Sequence, residues 1–375
     1  MSKMKKFISV SIIAALVIGS TFPVYASESY GLTSLMNKAM DSNVDMKLLK
    51  IQTDREKADY IAARAIGISL VDDVDEDDVQ TYTDKQNIDL TPIKEKKVYL
   101  DKAYEKLQKE NDLEYQVKNL FYTYFNMLED TRSKQEYYTF MEDKKEAEVI
   151  KLEVGQITQL QYDTFLQSYD QAFLGYLKSK NALDAKVREI NIYIDQEPSA
   201  QLDLINAPKT PIDLSKVDLT SIEALIIENS YQLDTMELDL EINTVDKQLK
   251  SRFKGFAEKA IELEILDDKI LELESKISDK ERSLKGDLYT KYNEAIIAEK
   301  EIEVKQLSYD LAKRTFDIDQ LKFENGLISL IDLSESRKNF EDSYYAINTA
   351  KLSQYLTVQS FLDFVEENTT KITIE

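Results

Sequence analysis

The sequence predicts an all-α protein made of two tandem repeats of long antiparallel coiled-coil helical hairpins, with little or no β-structure. Three observations carry that expectation. Only eight glycines and five prolines occur in 375 residues, and so few breakers favour long uninterrupted helices. Apolar residues recur at alternating spacings of three and four over long stretches, the period of supercoiled helix packing. The pattern also returns: Lys151, Gly155, Ile157 and Thr158 recur as Lys322, Gly326, Ile328 and Ser329, at a constant offset of 171.

Taken from the beginning, Lys3, Lys5 and Lys6 precede an apolar run from Phe7 to Phe22, and Val24 and Ala26 sit where a signal peptidase reads small residues. Residues 1–26 are therefore expected to be a signal peptide, shorter in its apolar part than the ~20 residues of a membrane span. No later stretch is apolar enough to cross a bilayer as a helix. The first helical-hairpin repeat is assigned to 27–197 and the second to 212–375. A linker at 198–211 holds Pro198, Pro208 and Pro211.

Each repeat opens alike. Leu32, Thr33, Ser34 and Leu35 match Leu219, Thr220, Ser221 and Ile222, with the hydroxyls read as helix N-caps. In the first repeat Phe165, Tyr169, Ala172, Tyr176, Ser179, Leu183, Val187, Ile190 and Ile194 keep the coiled-coil spacing. In the second, Leu266, Ile270, Leu273, Ile277 and Leu284 do so, then Val304, Leu307, Leu311, Ile318 and Leu321. Helices over 96–153 and 256–325 would span ~85 and ~105 Å at 1.5 Å per residue. Gly155 and Gly326 mark the turns. Thr158 with Gln161, and Ser329 with Asp332, have the form of capping boxes that start the next helix.

The openings lie 123 residues before the glycine turn in the first repeat and 107 in the second, and the extra 16 are placed in 68–95. That stretch carries Asp72, Asp73, Asp75, Glu76, Asp77, Asp78 and Pro92. It lacks the glycine and ligand spacing of a calcium loop and reads as a solvated acidic loop. Lys254 to Lys269 reads as continuous helix.

Composition limits function. The chain has no Cys, no His and no Trp, which removes disulfides, thiolate and imidazole metal ligands and the commonest general base. No enzyme activity, cofactor or metal site is expected. Removing three lysines with the signal leaves 45 basic against 70 acidic residues, a net charge of −25, which repels nucleic acid and anionic lipid.

Two tandem repeats, each opening on these Leu-Thr-Ser motifs and turning at a glycine followed by Ile and Thr or Ser, resemble the TolC-like outer-membrane efflux proteins over nearly the whole chain. That resemblance implies a homotrimer whose paired helices form a hollow α-barrel in the cell envelope. It also implies export work with a pump and a periplasmic adaptor of the membrane-fusion type. The turns Gly155, Ile157, Thr158 and Gly326, Ile328, Ser329 would then be adaptor-facing tips. Asp332 and Glu335 align with acidic positions that ring the tunnel entrance in some members, where the first repeat has Gln161 and Thr164. Acids in a first helical turn also complement the helix dipole with no further role. The family's membrane-spanning strands are expected to be reduced or missing, because a lipid-facing strand needs ~10 alternating residues. Membrane insertion is then doubtful. The competing reading is a secreted coiled-coil rod that is no channel, for which one apolar seam suffices.

Overall fold

The structure is a computed structural model that describes residues 29–72, 81–206, 214–253 and 260–371. The expected signal peptide, most of the acidic run and part of the proline linker lie outside the described residues.

Nearly everything described is helix. α1 (Leu32–Ser42) and α2 (Val44–Asp72) are followed by a one-turn α3 (Tyr82–Lys85), a π-helical turn over Gln86–Leu90, α4 (Thr91–Glu153) and α5 (Gln159–Tyr193). The second series is α6 (Leu219–Asn229), α7 (Tyr231–Arg252), α8 (Ala260–Glu324) and α9 (Leu330–Thr369). The described strands are two-residue segments, β1 (Ser29–Tyr30) and β2 (Asp203–Leu204), paired parallel.

α4 has 63 residues and α8 has 65, so each runs for ~95–98 Å at 1.5 Å per residue. α2 and α5 share one flank of α4, running antiparallel to it. α2 covers its N-terminal half, with Thr53 Oγ1 donating to Lys102 O at 3.3 Å. α5 covers its C-terminal half, where the Thr131 and Ser179 hydroxyls meet at 2.7 Å. On the other flank of α4 come α7, through Tyr231 stacked on Tyr104 at 4.0 Å, and α9, through Asn126 Nδ2 donating to Asn348 O at 3.3 Å. α8 lies outermost. It packs on α7 by the Lys247–Asp267 ion pair and on α9 by Phe316 stacked on Phe340 at 5.5 Å. The helices thus form a stave of four columns in the order α2 with α5, α4, α7 with α9, α8.

The core follows this layout. Phe121, Ile190, Ile194, Leu352 and Leu356 join α4, α5 and α9 at mid-length, beneath α1 and the β1–β2 bridge. A second cluster, with Ile226, Leu233, Leu288 and Phe361, does the same for α6 to α9. Asn191, fully buried, donates to Pro198 O and Ala200 O at 3.3 and 2.8 Å and so ties the chain after α5 to the helix.

Several expectations are corrected. α4 begins at Thr91, not at 96, and Pro92 follows directly on the π turn over Gln86–Leu90, where the Thr91 N–H still bonds to Gln86 O. Thr33, Ser34, Thr220 and Ser221 lie inside the first turns and are not N-caps. Gly31 and Asp218 hold those positions, and the Asp218 carboxylate accepts from the Thr220 and Ser221 amides. Of the stretch expected to be helix, 254–269, residues 254–259 lie outside the described residues and 260–269 are helix. α7 ends at Arg252, Phe253 is extended at φ −99° and ψ 121°, and α8 returns antiparallel beside α7. Phe253 meets Tyr82 edge-on, 5.3 Å between ring centroids, where α7 ends.

The 16 extra residues of the first repeat fall where expected. α2 has 29 residues against 22 in α7, and α3 and the π turn have no counterpart among the described residues of the second series. Only eight residues separate Asp72 from Thr81 and six separate Phe253 from Ala260. A membrane-crossing β-hairpin needs two strands of ~9–11 residues, so neither reversal has the length to supply one.

Candidate functional site

Two regions bear on function: the paired glycine tips and the apolar edges of the stave. At the first tip Gly155 takes φ +75°. Its N–H donates to Leu152 O at 3.0 Å, and the Gln156 N–H donates to Lys151 O at 2.8 Å. The second tip repeats this with Gly326 at φ +72°, where Gly326 N–H reaches Phe323 O at 2.9 Å and Leu327 N–H reaches Lys322 O at 2.8 Å. These are Schellman turns, which satisfy the last carbonyls of α4 and α8 and need a left-handed residue. Capping boxes then start α5 and α9. The Thr158 hydroxyl accepts from Gln161 N at 3.3 Å while Gln161 Oε1 accepts from Thr158 N at 2.8 Å. Ser329 and Asp332 make the same pair at 3.2 and 3.0 Å.

The two tips lie side by side. Met141, Phe165, Leu330 and Leu333 form one buried cluster into which Ile328 also packs. Ile157 and Ile328 are half-buried, whereas Leu160 and Leu327 stand in solvent. Asp332 and Glu335 are exposed and line a groove of about 440 Å³ between α8 and α9 together with Asp319. The Lys322 ammonium donates to Asp319 at 2.9 Å and holds its carboxyl below the usual carboxylate range. Asp332 is engaged in the cap, which accounts for an acid at that position; Glu335 has no part in it. Among the described residues no group of three or more acids converges as metal ligands would.

The edges were only partly legible beforehand. Leu266 and Leu284 are buried, as their spacing implied, but Val304, Leu307, Leu311, Ile318 and Leu321 are 53–71% exposed. With Ile297 they form a stripe down α8 at steps of seven, three, four, seven and three, covered by no described residue. The opposite edge column carries its own exposed apolar residues: Val44, Leu48, Ile51, Ile61 and Ile68 on α2, and Leu160, Phe173 and Leu174 on α5.

No family model matches the chain, and no curated protein sequence matches it. Solved structures do. The CmeC outer membrane channel of Campylobacter jejuni superposes with a TM-score of 0.68 at 13% identity, over 91% of this chain and 86% of that one. A membrane protein from Pseudomonas aeruginosa gives 0.68 at 10% identity, over 89% and 90%. The outer membrane protein VceC of Vibrio cholerae gives 0.67 at 8%, over 90% and 97%. The chain therefore has the helical fold of outer-membrane channel proteins. More narrowly, the arrangement is that of the TolC-like efflux channels which the sequence motifs resemble.

Proposed function

We propose that the protein is a TolC-like efflux or secretion conduit of the cell envelope, without catalysis of its own, assembled from three copies of the chain. One observation carries this reading: both outer columns of the stave present apolar stripes that the chain leaves uncovered. A rod held by a single internal seam has no use for two such edges. When the α8 edge of one copy meets the α2 and α5 edge of the next, the contact is heterologous, and heterologous contacts close into rings when the rotation allows. A heptad-spaced stripe on α8 is suited to knobs-into-holes packing against those helices.

In this assembly the glycine tips lie together at one end and face an adaptor of the membrane-fusion type and its pump. Gly155, Ile157, Thr158, Gly326, Ile328 and Ser329 form the adaptor-facing surface. Asp332 and Glu335 of three copies form an acidic ring at the entrance. The opposite end has no chain length for a barrel, so the conduit ends within the envelope and does not pierce a membrane by strands. The strongly acidic surface disfavours nucleic acid as a partner.

The test is the mass of residues 27–375 in solution by light scattering, with and without mild detergent. A discrete trimer is expected. A monomer under all conditions overturns the self-assembling conduit and leaves the coiled-coil rod.

A further inference from the structure

Burial raises the pKa of three carboxylates among the described residues, Glu341, Asp363 and Glu367. All three lie on α9. Asp363 and Glu367 follow Glu341 by 22 and 26 residues, about six and seven turns at 3.6 residues per turn, so they share one face. That face is turned towards α4, across the seam that joins the two repeats of a single chain.

Glu341 has a cation of its own in Arg337, whereas acids outnumber cations around Asp363 and Glu367. Glu341 accepts from Arg337 Nε at 2.9 Å and faces Ser133, while Asp342 beside it is a like charge. The Arg337 guanidinium lies over Tyr137 and Phe140 of α4, at 5.2 and 5.4 Å from their centroids. Nearby Lys134 is taken by Asp130 at 2.7 Å. Asp363 accepts from Gln359 at 2.6 Å and meets Lys118, Glu114 and Glu366. Lys118 pairs with Glu114 at 3.2 Å. Glu367 accepts from Asn111 at 3.2 Å and faces Asp112, with Lys291 of α8 beside it. Lys291 donates to Ser360 at 3.1 Å. Tyr104, also close to Glu367, is a buried phenol held neutral. Around mid-length, Asp112, Glu114, Asp363, Glu366 and Glu367 face Lys118 and Lys291, with Lys109 near Asp112 engaged by Asp45.

We propose that the α4–α9 seam is a proton-responsive joint: proton uptake by Glu341, Asp363 and Glu367 tightens the contact between the two repeats, and their ionisation loosens it. Burying an ionised carboxylate is costly unless it is fully paired, and here like charges face one another across the seam. Because the folded chain holds these protons more firmly than the unfolded one, the stability these three acids contribute is greatest at low pH. It declines as pH rises from the unfolded values of about 4 through the raised folded ones. The joint lies within one chain and does not depend on the conduit reading.

The test uses the absence of cysteine. Leu128→Cys and Tyr345→Cys, both at exposed positions on α4 and α9, carry nitroxide labels on the full chain. The distance distribution is expected to be narrow at pH 5 and broader or longer at pH 8. In the triple variant Glu341→Gln, Asp363→Asn, Glu367→Gln it is expected to stay narrow at both. A control removing three exposed acids of α8, Glu264, Asp268 and Glu274, separates local from overall charge and should behave as the parent. Equal broadening in parent and triple variant, loss of the pH effect in the control, or no pH effect in the parent overturns the joint. If the triple variant does not fold, each single variant must diminish the broadening, and three unchanged singles overturn it equally.

Discussion

At the scale of single residues, function and stability meet at the tips. A Cβ added at Gly155 or Gly326 meets nothing within 4 Å, so substitution there is opposed by the backbone alone. Gly326→Ala is expected to cost roughly 1–2 kcal/mol, the penalty of a left-handed residue with a side chain, read as a lower urea midpoint. Thr158→Ala and Ser329→Ala remove capping hydroxyls and should each cost about 1 kcal/mol. Asp218 makes a prediction of opposite sign to the α9 acids. Its carboxyl is held low by the Ser221 hydroxyl and by backbone amides, so its contribution is present above the unfolded value of about 3.9. That contribution is lost as pH falls through the lower folded value. Thermal midpoints of the parent and Asp218→Ala should therefore differ at pH 6 and converge towards pH 3. The glycines and the Thr158 and Ser329 caps were visible in the sequence because their chemistry is local. Asp218 was not, because Leu-Thr-Ser offers nearer hydroxyls and only the helix start decides between them. Asp195, left-handed at φ 57° after α5, was hidden for a similar reason: aspartate tolerates that conformation but does not advertise it.

Among the elements, α8 is the decisive one. Its heptads were legible throughout, yet the structure divides them between an inner seam at Leu266, Leu284 and Leu288 and an outer stripe from Ile297 to Leu321. Periodicity reports that a face is apolar. It does not report whether the partner belongs to the same chain. Replacing Leu307 and Leu311 with Asp is expected to leave helicity by circular dichroism unchanged and to reduce the assembly to monomers by light scattering. Helix loss alongside dissociation would instead show that the stripe supports α8 itself. Pro92 gives the complementary lesson. A proline in sequence reads as a breaker, but helix continues on both sides of Pro92, with a π turn over Gln86–Leu90 directly before it.

For the whole molecule, the two reversals opposite the glycine tips bear on the proposal that the conduit does not pierce a membrane by strands. No described helix is long and apolar enough to cross a bilayer, and the reversals are too short for strand pairs. Residues 27–375 are accordingly expected to remain in solution without detergent, not to float with liposomes, and not to release a trapped dye from them. Dye release by the chain alone would contradict the proposal that the conduit does not pierce a membrane by strands. The sequence by itself determined the helical class, the glycine turns and the position of the extra 16 residues. Breaker density, heptad period and glycine turns act over a few residues and leave a local record. Only the tertiary structure decided which helices share a column, which apolar stripes remain uncovered and which carboxylates face α4. Those depend on side chains brought together from up to 256 positions apart, as Asn111 and Glu367 are, and no local pattern encodes a contact between helices that distant in the chain.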